Sequence, residues 1–353
     1  MRTLGFLLSI LLSLASLPGQ TLEKGDIDGA LFTIAKPAEW TGKLVLLAHG
    51  YRPEDAALSA DLDTKDAFVA PLLKKGWMVA ITSYRRNGWI VDDALDDLNA
   101  LQEHIASQHG EIRRCLVSGS SMGGLIAVLI GEGALDGVDG VVAIGAYLGD
   151  GQTDAFHPKL TWDPKMPILF LTNQSELEHP RAYRERANHD FTALWEIKRN
   201  GHCNTSAAER FQAIQAVNAW IDGQPPEKDR DGTLEPPVRA STAQPVKGGL
   251  EGTIRKSSPS WGNLGTDFVA ADLTTLHLAR GDSLMVEAGD RSIAARLVGD
   301  RSEVAEGECA VYLSPNGWVE IEIQGGHAAR KVGVAVKDRV RLIHQPTPAT
   351  PEP

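Results

Sequence analysis

Gly119-Ser120-Ser121-Met122-Gly123 places a serine between two glycines, each two residues away, the G-x-S-x-G spacing of a hydroxyl nucleophile on a sharp strand-to-helix turn. The glycines remove the Cβ atoms that would clash in such a turn, and Gly124 extends it. A serine hydroxyl attacks only when a base takes its proton. His202, in Asn200-Gly201-His202-Cys203-Asn204, lies on a loop after the strand-like Trp195-Glu196-Ile197 and before an amphipathic segment, and is the candidate base. Of its competitors, His104 and His109 fall on or beside a helix and His157 lies in a polar loop, while His49 reads as a structural member of a turn. A carboxylate must orient the imidazole and stabilise the imidazolium. Glu176 has the right offset from the apolar run 168–171; Glu178, and Asp150 or Asp154 after the preceding run, compete with it. Two backbone N–H groups must meet the developing oxyanion. Met122, directly after the nucleophile, supplies one, and Tyr51, in His49-Gly50-Tyr51-Arg52, the other.

The elements that must carry these residues are legible as a pattern. Five short apolar runs, near residues 44–48, 78–81, 115–117, 141–144 and 168–171, suit strands buried on both faces of a parallel sheet. Between and after them, Val91, Leu95, Leu98, Leu101 and Ile105, then Phe211, Ile214, Val217 and Ile221, recur at helical spacing. The expectation is an α/β domain with a doubly wound, mostly parallel sheet over residues 21–222. Little sequence separates the runs at 141 and 168, so no large lid is expected. Trp89, Tyr147 and Trp162 stand near the expected rim, as substrate contacts or as core.

Residues 223–250, with five prolines and no apolar period, read as a linker. From 251 to 344 period-two alternation in short runs, such as Trp318-Val319-Glu320-Ile321-Glu322-Ile323, predicts a small all-β, barrel-like domain. The tail 345–353 is proline-rich and reads as disordered.

Charge and cysteine content narrow the function. A net charge of −11 gives no footprint for a phosphate backbone or an anionic membrane, so nucleic acid is excluded as a partner. Residues 1–20 combine Arg2, an apolar stretch over 6–17 and small residues before position 20, which predicts a signal peptide and a secreted or periplasmic product. That stretch is too short to span a bilayer, and no later one is long enough. Cys115, Cys203 and Cys309 form neither a disulfide framework nor a metal spacing. Cys115 reads as core and Cys203 as a packed neighbour of the histidine. No metal or cofactor is expected.

Residues 28–221 resemble the α/β-hydrolase superfamily, nearest to esterases and prolyl-oligopeptidase-like hydrolases. The resemblance rests on Trp40-Thr41-Gly42 before the His49-Gly50-Tyr51 turn, on Ser83-Tyr84-Arg85, on the Ser121 turn and on Gly201-His202. Its implication is acyl transfer by a Ser-His-acid triad, with a carboxylic ester favoured over a peptide. Residues 252–343 resemble in part the C-terminal domain of SAM hydroxide adenosyltransferases and related halogenases. Trp261-Gly262-Asn263-Leu264-Gly265-Thr266-Asp267, Gly307-Glu308, Ser314-Pro315-Asn316-Gly317-Trp318 and Gly326-His327-Ala328-Ala329 carry that likeness. In that family these turns help hold SAM. The family's other domain, with its catalytic Asp, has no counterpart here, so adenosyl chemistry is not implied. The turns either only shape a barrel or contact a ligand, with Asn263 and Trp318 as the candidates.

The expected function is an exported serine hydrolase acting on a small-molecule or polymeric ester. The alternative is a catalytically idle hydrolase scaffold that binds a ligand through its second domain. The sequence leaves the oligomeric state open.

Overall fold

Residues two apart in a strand share a face, so an apolar run must find cover on both sides. The computed structural model describes residues 19–149, 160–258 and 260–344. Residues 1–18 of the expected signal peptide, Asp150, Asp154, His157 and the tail lie outside them. The first domain is one sheet of strands β1 (Thr21–Ile27), β2 (Ala30–Lys36), β3 (Lys43–Ala48), β4 (Trp77–Thr82), β5 (Arg114–Ser120), β6 (Gly140–Ile144), β7 (Ile168–Asn173), β8 (Thr192–Ile197) and β9 (Asp229–Asp231). Their order is β1-β2-β4-β3-β5-β6-β7-β8-β9. The β1–β2 and β2–β4 pairs are antiparallel, and the rest of the sheet is parallel.

The helices are α1 (Val69–Lys74), α2 (Val91–His109), α3 (Met122–Leu129), α4 (Glu178–Arg186) and α5 (Ala207–Ile221). Leu44, Leu46, Cys115 and Val117 face one core, where Leu98 and Leu101 of α2 and the whole of α3 pack. Val45, Leu116 and Val142 face a second core, closed by Leu72 of α1 and by Ile214 and Val217 of α5. The sheet is doubly wound, as the apolar pattern requires.

The second domain adds β10 (Gln244–Val246), β11 (Gly249–Ser257), β12 (Leu264–Thr266), β13 (Ser283–Ala288), β14 (Arg291–Leu297), β15 (Cys309–Leu313), β16 (Val319–Ile323) and β17 (Arg339–His344). Because β17 pairs with both β13 and β11, the strands close into a barrel, antiparallel except between β14 and β15. The period-two residues Leu284, Val286, Val319, Ile321, Val340 and Leu342 fill it.

Residues 223–250 differ from the plain linker expected. β9 adds to the edge of the first sheet and β10 to the barrel. The Leu234 N–H is bonded to Glu209 at 2.8 Å, and the Arg239 guanidinium lies 4.3 Å from the Trp318 ring. Backbone pairing and single side-chain contacts hold this stretch, and neither needs an apolar period.

Candidate active site

The turn at Ser121 is as tight as its glycines imply. Ser121 has φ 60° and ψ −121°, a strained conformation for a residue with a Cβ. A Cβ at Gly119 would fall 1.8 Å from the Gly123 carbonyl oxygen, and one at Gly123 would fall 2.0 Å from that of Ala48. The Ser121 N–H is bonded to the Ile144 carbonyl at 2.9 Å, so β6 fixes the turn from the side. α3 begins at Met122, whose N–H, at the first helical position, has no acceptor within its own helix. The loop after β3 runs against the turn, since a Cβ at Gly50 would lie 3.1 Å from Ser121 Cβ. Tyr51 is the next residue along that loop.

A sheet in this order, with a strained serine between β5 and α3 and a histidine loop after the last long strand, has one familiar architecture. The first domain has the α/β-hydrolase fold.

In this hydrolase domain the end of β7 builds the histidine loop. Asn173, wholly buried, donates to the carbonyls of Arg199 and Asn204 at 3.1 and 3.0 Å and accepts from the Asn204 N–H at 2.7 Å. Ser175 Oγ accepts from the Gly201 N–H at 3.0 Å and donates to the Gly201 carbonyl at 3.2 Å. Glu176 then meets His202, with Oε1 bonded to Nδ1, while its Oε2 accepts from the Cys203 N–H at 3.3 Å. A carboxylate only accepts, so the proton sits on Nδ1 and a neutral ring leaves Nε2 as the acceptor. Glu178 stands exposed at the start of α4.

Cys203 ties this loop to the serine turn. With φ 54°, it brings Sγ to 3.4 Å from the carbonyl of Ile144, the group that takes the Ser121 N–H, and to 3.8 Å from His202 Nε2. The contact with Cys203, then the one with Glu176, push the His202 pKa up to about 10 against burial. His49 differs. Both its ring nitrogens face carbonyl oxygens, of Gly50 at 2.7 Å and Ser83 at 3.0 Å, yet burial and Arg52 push its pKa down to about 4. A neutral ring can donate to only one of these carbonyls. His49 is packed at 4.0 Å against the Tyr84 ring, in the turn where it was expected.

The barrel leans on both the Tyr51 loop and the histidine loop. Trp261 sets its ring 6.2 Å from that of Tyr51. Asn316 Oδ1 accepts from the Ala207 N–H at 2.9 Å, taking one of the free donors at the start of α5 beside the Ser206–Glu209 capping box. Asp300 approaches Gly201 so closely that a Cβ there would lie 2.5 Å from its carboxylate. Between the domains is a cavity of about 360 Å³, lined by His202 and Cys203 from one side and by Asn263 and Asn316 from the other. Trp318 does not line it. Two guanidinium groups, of Arg239 and Arg255, sit 4.3 and 3.9 Å from its ring centre, so that ring is engaged already.

Sequence reasoning missed Asn173, Ser175 and the docking role of Asn316. Asn173 and Ser175 stand in the same short segment as Glu176, and that proximity is the signal that could have found them. Among the described residues no group of three or more His, Cys, Asp or Glu is placed to hold a metal ion, and no helix is long and apolar enough to cross a membrane.

Residues 86–188 match the family model of the serine aminopeptidases, S33, and residues 260–341 match that of the SAM hydroxide adenosyltransferase C-terminal domain. Similar solved structures include an uncharacterized conserved protein from Thermotoga maritima, at 22% identity and TM-score 0.28, over 36% of this chain and 49% of that one. This chain thus spans about half the length of that protein. An esterase from Pyrococcus furiosus is similar at 17% identity and TM-score 0.44, over 59% of this chain and 92% of the esterase. No curated protein matches the chain in sequence.

Proposed function

We propose that the protein is an exported serine hydrolase that cleaves a carboxylic ester through an acyl-Ser121 intermediate. The observation that carries this reading is the carboxylate of Glu176 on Nδ1 of His202, in a loop tied through Cys203 to the carbonyl that also fixes Ser121. His202 takes the Ser121 proton as Oγ bonds to the acyl carbon and the carbonyl electron pair moves onto oxygen. The N–H groups of Tyr51 and Met122 meet that oxyanion. Its collapse re-forms the carbonyl and breaks the bond to the leaving oxygen, which takes the proton from His202. Water then repeats the sequence and frees Ser121.

An ester is the less demanding substrate, since an alkoxide departs with partial protonation whereas an amine needs the proton in full. Export is part of the proposal through residues 1–20, and N-terminal sequencing of protein recovered outside the cytoplasm should begin near residue 21.

The test pairs a fluorophosphonate probe with p-nitrophenyl acetate. The full chain should be labelled and should turn over the ester, and Ser121→Ala should do neither. Absence of labelling in a folded wild type would support the idle scaffold; full activity in Ser121→Ala would overturn the mechanism.

A further inference from the structure

A leaving group takes its proton from the imidazole, so it is the part of the substrate that lies against His202. A cavity bordered by His202 and Cys203, but not by Ser121, is placed to hold that part and leave the acyl carbon at the serine. Its far wall belongs to the barrel. The barrel is held there by Asn316 on Ala207, by Asp300 against Gly201 and by Trp261 over Tyr51.

The wall is polar and carries both signs of charge. Lys256 is paired with Glu320 at 3.0 Å, and Arg301 with Glu322 at 3.3 Å, while Tyr312 also bonds to Glu322 at 2.6 Å. Arg210 is committed to Thr205 Oγ1 at 2.8 Å and the Cys203 carbonyl at 3.4 Å. Arg210 thus keeps an unpaired charge, and Asp66 and Asp300 add carboxylates that accept from backbone N–H groups, so four carboxylates stand against three cationic side chains and a ligand of either charge meets both signs. Asn263 presents an amide, and the buried Ser314 hydroxyl has no hydrogen-bond partner among the described residues. Little of the lining is apolar, so a hydrocarbon chain or an aromatic ring would leave these groups unsatisfied. A hydroxyl both donates and accepts, and a neutral ligand with several hydroxyls answers such a wall.

From this we infer that the interdomain cavity is the leaving-group subsite and that the alcohol released is a neutral polyhydroxylated one of the sugar class. The inference rests on the serine-hydrolase reading. In the reaction the bond from the acyl carbon to a sugar oxygen breaks, that oxygen takes the His202 proton, and the acyl group stays on Ser121 until water removes it. The barrel is then a wall of the active site.

The test compares kcat/KM for three acetyl esters, namely monoacetylated glucose, acetylcholine and p-nitrophenyl acetate, on the full chain and on Asn263→Leu and Glu320→Gln. Wild type should favour acetylglucose over acetylcholine by at least about tenfold, since a site built to hydrogen-bond hydroxyls rejects an alcohol that lacks them. In Asn263→Leu the ratio of acetylglucose to p-nitrophenyl acetate should fall by about tenfold, mainly through KM, the size of one lost hydrogen bond of about 1.4 kcal/mol, and in Glu320→Gln, which takes the partner charge from Lys256, it should fall as well. An equal or greater preference for acetylcholine, or an unchanged ratio in variants that still label with the fluorophosphonate, would overturn the inference and leave the hydrolase reading standing. If either variant fails to label, Ser314→Ala supplies the ratio, and no change there counts against the proposal. A folded wild type that neither labels nor cleaves any ester would sink both readings.

Discussion

One carboxylate, that of Glu176, holds two consecutive residues, with His202 on Oε1 through its ring and Cys203 on Oε2 through its backbone. Orientation of the His202 ring and placement of the loop that bears it are therefore one interaction. Glu176→Gln should lower kcat by up to about 10⁴, the size of the loss when the orienting carboxylate of a serine protease is neutralised. Glu178→Gln, at an exposed position, should leave it near wild type. Steady-state kinetics of both variants on p-nitrophenyl acetate decide the matter, and the reverse result would move the acid to Glu178.

The pH profile carries a sign. His202 acts as a base only when neutral, and Cys203 and Glu176 hold it protonated above the ordinary range. The rising limb of kcat/KM should therefore lie above pH 6.5, toward 10, and Cys203→Ala should move it down because the leading cause is gone. The same shift has a stability side. A group whose pKa rises on folding contributes stability that is fully present below about 6.5 and fades as pH climbs toward 10. Urea midpoints across that window should fall more steeply in wild type than in His202→Ala.

Strain at Ser121, the proposed nucleophile, has a measurable counterpart. Ser121→Gly should abolish turnover, yet raise the unfolding free energy by about 1 kcal/mol, as relief of an unfavourable φ outweighs the added chain entropy. Denaturant titration beside the activity assay tests this. A destabilised glycine variant would mean that the turn stores no strain.

Asn173 offers the opposite case. Replacing it with Ala leaves two carbonyls and one N–H of the histidine loop without a partner, at a cost of about 3 kcal/mol. Unfolding should shift by that amount, and turnover should fall with Ser121, His202 and Glu176 all intact.

The stretch between the domains should be cut at one place. Val238 is fully exposed, whereas β9 and β10 are paired and Leu234 is bonded. Elastase should cleave first next to Val238, and the two fragments should still elute together, because Asn316, Asp300 and Trp261 hold the domains. Separate elution would show that the docking is weak.

The sheet, its winding and the serine turn are legible in the sequence because each rests on a local rule. Apolar runs such as Val141-Val142-Ala143-Ile144 can only be buried strands, and Gly119 and Gly123 are demanded by contacts closer than any Cβ allows. Glu176 is legible as well, by its offset from β7. Long-range polar contacts are not. The bond from Ala207 to Asn316 joins residues 109 apart, and nothing in either residue's neighbourhood announces the other. β9 pairs through its backbone with three exposed residues, Asp229, Arg230 and Asp231, so no pattern of side chains marks it as a strand. The engaged ring of Trp318 has the same origin, since Arg239 and Arg255 reach it from separate stretches of chain.

Gly201 answers to two masters. Its φ of 121° belongs to the histidine loop of one domain, and the space a side chain would need is filled by Asp300 of the other. Chimeras made by exchanging the barrel for that of a relative will dock only if the incoming barrel fits the space that Gly201 leaves, whatever the quality of its own interior. Inheritance of the two halves is thereby linked at this position as well as through Asn316 and Trp261, and a library of swapped barrels screened for turnover should be enriched for partners with a side chain no longer than that of Asp300.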